Sequence, residues 1–128
     1  MREILFRGKR KDNNEWIYRY YCRYGYVTQE KTFIIPDYAS ALYATEVIPE
    51  TVGQYTGLPD KNGKKIFEGD IVKAYKHNEI PFTQVVTFKH GCFWFGNWNW
   101  LEFINVFRNF EVIGNIHDNH ELLKEQDK

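Results

Sequence analysis

Residues 51–74, TVGQYTGLPDKNGKKIFEGDIVKA, restrict the fold of this chain more than any other stretch. Three of the chain's nine glycines fall here before Gly69 closes the segment. Asp60-Lys61-Asn62-Gly63 is a turn signature, because Asn and Gly reach the positive φ that a tight turn needs. Glu68-Gly69-Asp70 is a second turn, and the apolar run 71–75 follows it directly. A stretch punctuated this closely has no room for a long helix. It predicts short strands at 52–55 and 71–75, with Ile66-Phe67 as a brief apolar anchor between turns.

The rest of the chain keeps the same rhythm. Residues 4–7 read as a first strand and 8–14 (GKRKDNN) as a polar loop. Residues 15–23 (EWIYRYYCR) alternate, with Trp16, Tyr18, Tyr20 and Cys22 on one face. Aromatic side chains suit a half-buried pleated surface, so this is the return arm of a hairpin. Further strands are expected at 32–35, 46–48, 82–88, 92–95 and 111–116, with His90-Gly91 as the turn between the two that flank it. Two short helices are expected. One spans 37–44 (DYASALYA), where Asp37 can cap a run holding three alanines and a leucine, and the other spans 120–124, capped by Asp118 or Asn119. Residues 97–109 fit a helix or a strand pair equally well. About eight strands at this spacing predict a mainly β chain. The expected architecture is a small closed or partly open barrel, SH3-like in its C-terminal half, with an N-terminal β-hairpin region and one or two short helices.

At 128 residues the chain is sized for a single domain, with residues 1–50 as an N-terminal β region and 51–128 as the barrel. Hydrophobic residues make up 43% and aromatics 18%, enough apolar area to build a core without disulfides or metals. Lys+Arg and Asp+Glu are equal at 17 each, so no global field draws the chain to nucleic acid or to a membrane. The charge is unevenly placed: residues 1–31 carry eight basic and four acidic side chains, and residues 111–128 carry five acidic and two basic. Cys22 and Cys92 form no CxxC pair and suit a reducing compartment. The N-terminus lacks the apolar run of a signal peptide, and no apolar stretch nears the roughly 20 residues of a spanning helix. A soluble protein of the cytoplasm is expected.

Three blocks resemble the YopX family of proteins encoded by phages and prophages: FRGKRKDNNEWIY, TVGQYTGLPDKNGKKIFEGDIVK and EVIGNIHDNHELL, in that order. The resemblance implies a mainly β fold with a barrel, a phage or prophage origin and a bacterial host cytoplasm. It carries no activity and no cofactor. The last block departs from the family's pattern where Asn119 is followed by His120 rather than by proline. The resemblance rests on these three blocks and not on residues 24–50 or 97–109.

Several constellations invite a chemical reading, and each has a plainer one beside it. His117 and His120 flank Asp118-Asn119 and can be taken as metal ligands of a metal-dependent enzyme; the same residues also make a strand-to-helix turn with its cap. Asp60, Glu68 and Asp70 can be taken as an acidic site, or as turn carboxylates that accept backbone N–H bonds. His90 and Cys92 are too close to a turn to make a convincing catalytic dyad. Residues 56–65 lack the spacing of a phosphate loop, and Ser40 has no nucleophile frame. Three tryptophans fall within residues 94–100, a cluster that can fill a core, form a protein interface or stack bases. No Lys or Arg lies between Gly91 and Leu101, which argues against a nucleic-acid groove there.

The sequence therefore favours a non-enzymatic binding module without a cofactor. Its partner is expected to be a protein of phage or host, contacted by Trp98, Trp100, Phe103 and Phe107 together with Leu58, Lys61 and Lys64 of the 57–65 loop. Self-association through the same aromatics is a variant of that reading. The alternative is a single-stranded nucleic-acid-binding protein using Arg2, Arg7, Lys9, Arg10 and Lys11 on phosphates. No membrane partner is expected.

Overall fold

The computed structural model describes residues 4–24, 31–36, 44–76 and 80–124. Alternation and turn chemistry give a mainly β chain. Its strands are β1 (Phe6–Lys9), β2 (Trp16–Tyr24), β3 (Lys31–Pro36), β4 (Thr45–Glu46), β5 (Gly53–Pro59), β6 (Lys65–Phe67), β7 (Asp70–Tyr75), β8 (Phe82–Lys89), β9 (Cys92–Phe95), β10 (Trp98–Asn99) and β11 (Asn109–Asn115). Among the described residues there are also two helices, α1 (Trp100–Val106) and α2 (Glu121–Lys124), and a 3-10 turn at Pro49–Thr51. The strands form two antiparallel sheets, β4-β3-β2-β1-β5-β6 and β10-β9-β8-β7-β11, and neither closes into a barrel among the described residues. The helix expected at 37–44 lies outside the described residues except for Ala44, which is irregular.

The chain divides into two compact units, Met1–Tyr55 and Thr56–Lys128, so the division falls within β5. In the first unit, β1 and β2 form the expected hairpin, with Lys9 paired to Trp16. β1 starts and ends two residues later than the sequence suggested, because Gly8 is a strand residue. A Cβ there would sit 3.0–3.2 Å from the Val47 side chain, and the bare backbone lets Val47 close over the strand. Leu5, Ile34, Val47 and Tyr55 are buried in this unit. Thr51 fastens the 3-10 turn: its hydroxyl donates to the Ile48 carbonyl at 2.6 Å and accepts from the Lys9 N–H at 2.9 Å.

The core of the second unit is Ile66, Val72, Ala74, Val86, Phe95, Phe103 and Phe107, all buried. The tight turn between β8 and β9 is His90-Gly91, with φ of 53° and 80°, and it pairs Lys89 with Cys92. The stretch 60–70 behaves as turn chemistry. Asp70 is 1% exposed and accepts from the Phe67 N–H at 2.8 Å. Asp60 accepts from the N–H groups of Asn62 at 2.8 Å, Lys64 at 2.9 Å and Val112 at 2.9 Å. The Lys61 N–H also donates to the Phe110 carbonyl at 3.0 Å. The 60–64 turn therefore satisfies outward-facing groups of β11, an edge strand of its sheet.

Candidate functional site

The aromatic segment left undecided between helix and strand pair is partly each. β10 supplies Trp98 and Asn99, and α1 follows. The switch is a capping box: the Asn99 side chain accepts from the Glu102 N–H at 2.9 Å, and the Glu102 carboxylate accepts from the Asn99 N–H at 3.2 Å. That start fixes the phase of the helix. Trp100, Phe103 and Phe107 fall on the inner side, and Leu101 and Ile104 on the outer side.

Phe103 is the hub of the inner side. Its ring lies 4.7 Å from Trp100 in a stacked pair, 4.7 Å from Phe95, 4.9 Å from Phe110 and 5.4 Å from Phe107. Phe103 is fully buried and Phe107 is 4% exposed, so in the free chain both stand behind the surface. Trp98 and Trp100 are half-buried and pack on the core with one side. Trp100 continues outward through Phe93 at 6.1 Å to Phe88 at 5.0 Å. Phe88 is 49% exposed, Leu101 70% and Ile104 46%. Apolar side chains are thus exposed both on the β8–β9 hairpin, where this run of rings ends, and on the outer side of α1. Phe88, Leu101 and Ile104 were not singled out from sequence; for Leu101 and Ile104 the signal was the Asn99-x-x-Glu102 box, which sets which residues of α1 face out.

The loop candidates are divided. Leu58 is half-buried against the core. Lys61 pairs with Glu111 at 3.5 Å and lies 5.6 Å above the Tyr75 ring, and Lys64 is exposed. The basic candidates of the N-terminal region are largely engaged. Arg10 holds Asp12 through two bonds at 3.0 and 2.8 Å, and Lys11 pairs with Glu46 at 3.2 Å. Arg7 is 5% exposed, with its guanidinium 4.6 Å over Trp16, and Lys9 reaches the same ring at 5.8 Å. Arg2 lies outside the described residues.

The histidine cluster is a turn. Asn115 accepts from the N–H groups of His117 and Asp118 at 3.0 Å each, and its amide donates to Asp118 at 3.2 Å. The Asn119 side chain points back and accepts from the Asn115 N–H at 3.3 Å. His120 is exposed. Among the described residues no three His, Cys, Asp or Glu side chains gather as a metal set, and no helix is long and apolar enough to cross a membrane. His90 is exposed at the tip of its turn, with Cys92 half-buried on the returning strand.

The YopX protein family matches residues 5–124, nearly the whole chain, including all three blocks quoted above. The chain belongs to the YopX family. Among solved structures, this YopX chain is similar to the crystal structure of protein EF1440 from Enterococcus faecalis, with a TM-score of 0.58 and 22% identity. The match covers 96% of this chain and 99% of that one. At that identity the likeness establishes the fold. No curated protein matches the YopX chain.

Proposed function

We propose that this YopX protein is a non-enzymatic binding module for a protein partner, encoded by a phage or prophage and working in the cytoplasm of the bacterial host. The observation that carries the reading is the exposed apolar surface of Leu101 and Ile104 on α1 and of Phe88 on the hairpin, the last backed by Phe93. An exposed helix face of Leu and Ile, braced by a rigid aromatic layer, is a ready anchor for a partner's apolar side chains. The free thiols of Cys22 and Cys92 suit the reducing compartment, and the resemblance to phage-encoded relatives supports the origin.

Trp98 and Trp100 are poor test positions, since removing either disturbs the core. The clean variant is Leu101→Ser with Ile104→Ser. It should keep the circular dichroism spectrum and lose a partner that the unaltered chain retains from infected or lysogenic cells. Analytical ultracentrifugation of both chains reads self-association: a dimer lost in the variant makes the partner a second copy. Identical capture by two monomeric chains would overturn the reading.

The single-stranded nucleic-acid reading keeps one supporting observation. Arg7 and Lys9 both reach the Trp16 ring on the hairpin, where Tyr18 and Tyr20 are 45% and 52% exposed. It predicts binding to an oligothymidylate that weakens steeply with salt, and silence at low salt would end it.

A further inference from the structure

Lys76 directly follows β7, and its ammonium lies 5.3 Å from the ring centre of Phe82, 5.5 Å from Trp98 and 5.9 Å from Phe107. The three rings meet nearly at right angles: Phe82 and Trp98 at 72°, Phe82 and Phe107 at 81°, Trp98 and Phe107 at 87°. Their centres are 5.2–5.8 Å apart. Each comes from a different place in the fold: the first residue of β8, the first residue of β10 and the C-terminal cap of α1. Lys89, by comparison, meets the Trp94 ring at 5.0 Å. Three ring faces within about 6 Å of one cation make an aromatic cage, the arrangement that recognises lysine-type and quaternary ammonium groups.

We propose that Phe82, Trp98 and Phe107 form an ammonium-binding cage that Lys76 fills in the free chain and that a lysine side chain of a partner protein, plain or N-methylated, enters in its place. Lys76 is itself the evidence that a lysine ammonium on its aliphatic stem fits the space. The cage is built to persist without it, because Phe107 is held in the core by Phe95 at 5.2 Å and Phe103 at 5.4 Å. Phe82 and Trp98 are half-buried, and Lys76 is partly exposed, so the space it fills opens to solvent. A tethered occupant lowers the fraction of chains ready to bind and raises the apparent Kd in proportion. An N-trimethyl group should be preferred, since the cage supplies ring faces and a quaternary nitrogen asks for no hydrogen-bond acceptors.

The cage is separate from the exposed face of α1, because its walls are Phe82, Trp98 and Phe107 and include neither Leu101 nor Ile104. The test follows the Trp98 indole N–H by NMR in the unaltered chain and in Lys76→Ala. The probes are Nα-acetyl-lysine methylamide, its ε-trimethyl form, choline and the neutral tert-butyl isostere of choline. The expected result is a saturable shift with both lysine probes, at about tenfold lower Kd in Lys76→Ala than in the unaltered chain. The trimethyl form should bind tighter, and adding Phe82→Leu should abolish the response. Lys76→Gln replaces Lys76→Ala if the alanine variant loses stability. Four results would overturn the proposal: no saturable shift in the vacated chain, equal affinity with and without Lys76, equal binding of the neutral isostere, or binding of choline with neither lysine probe.

Discussion

Val112 donates its backbone N–H to the carboxylate of Asp60 at 2.9 Å, across 52 positions of sequence. The other carboxylate oxygen accepts from Asn62 at 2.8 Å and Lys64 at 2.9 Å, so one side chain both closes a turn and fastens it to the edge of β11. Burial works to raise the Asp60 pKa, but the three backbone donors and the nearby Lys64 charge outweigh it and hold the carboxyl below its usual range. A carboxyl whose pKa is lower folded than unfolded contributes stability above its unfolded value, about pH 4, and loses it as pH falls through the folded value. Asp60→Asn should therefore destabilise the chain at pH 7 by about 1–3 kcal/mol. It should also flatten the acid limb of a urea-midpoint-against-pH curve. An unchanged acid limb would show that other carboxylates carry it.

Gly114 makes a second tie in the same strand, by absence of a side chain. A Cβ at Gly114 would lie 2.7 Å from the Asn119 amide oxygen and 2.9 Å from its Cβ and Cγ. The register of β11 against β7 shifts between Val112 and Gly114, which brings the strand to its turn. Gly114→Ala should cost about 1–3 kcal/mol by overpacking. Pairing it with Asn119→Gly should recover part of that loss. The measurement is a double-mutant cycle by urea denaturation, and strict additivity would mean that the two residues do not meet.

Much of this architecture was legible because turn chemistry is local. Asn62-Gly63, Glu68-Gly69-Asp70 and His90-Gly91 each marked a real turn, and Asp60 and Asp70 accept backbone N–H groups as turn carboxylates do. Gly8 was misread as loop because the reason for it, Val47, lies far along the chain. The site was less legible for the same reason. Trp98-Asn99-Trp100 has the composition of a strand, and only the four-residue capping box decides that a helix begins there. The partner of Lys11 is Glu46, and the rings around Lys76 come from three separate elements; no spacing announces either. Phe103 and Phe107 looked like contact residues until the phase of α1 placed them inside.

Phe103 should accordingly behave as core. Phe103→Ala should cost about 3–5 kcal/mol, the range for losing a buried aromatic, and should broaden the NMR signals of Trp100, Phe95 and Phe110 together. Leu101→Ser, two positions away on the outer side, should stay within about 0.5 kcal/mol of the unaltered chain. Similar losses from both substitutions would mean that the outer side of α1 is covered.

The capping box links stability to the candidate surface. α1 has only seven residues and no basic side chain in its last turn, so little beyond its cap and its inner aromatics holds it in helical form. Asn99→Ala removes the acceptor for the Glu102 N–H and should cost about 0.5–2 kcal/mol. The loss should be local: faster amide exchange at Glu102 and Phe103, with β7 and β8 unaffected. Asn99→Asp keeps an acceptor at the cap and should retain most of the stability, although it places a second carboxylate beside Glu102. If the outer side of α1 is the binding surface, Asn99→Ala should also weaken partner capture while Leu101 and Ile104 are both present. Weakened capture alongside unchanged exchange at Glu102 would assign Asn99 to the contact itself rather than to the cap.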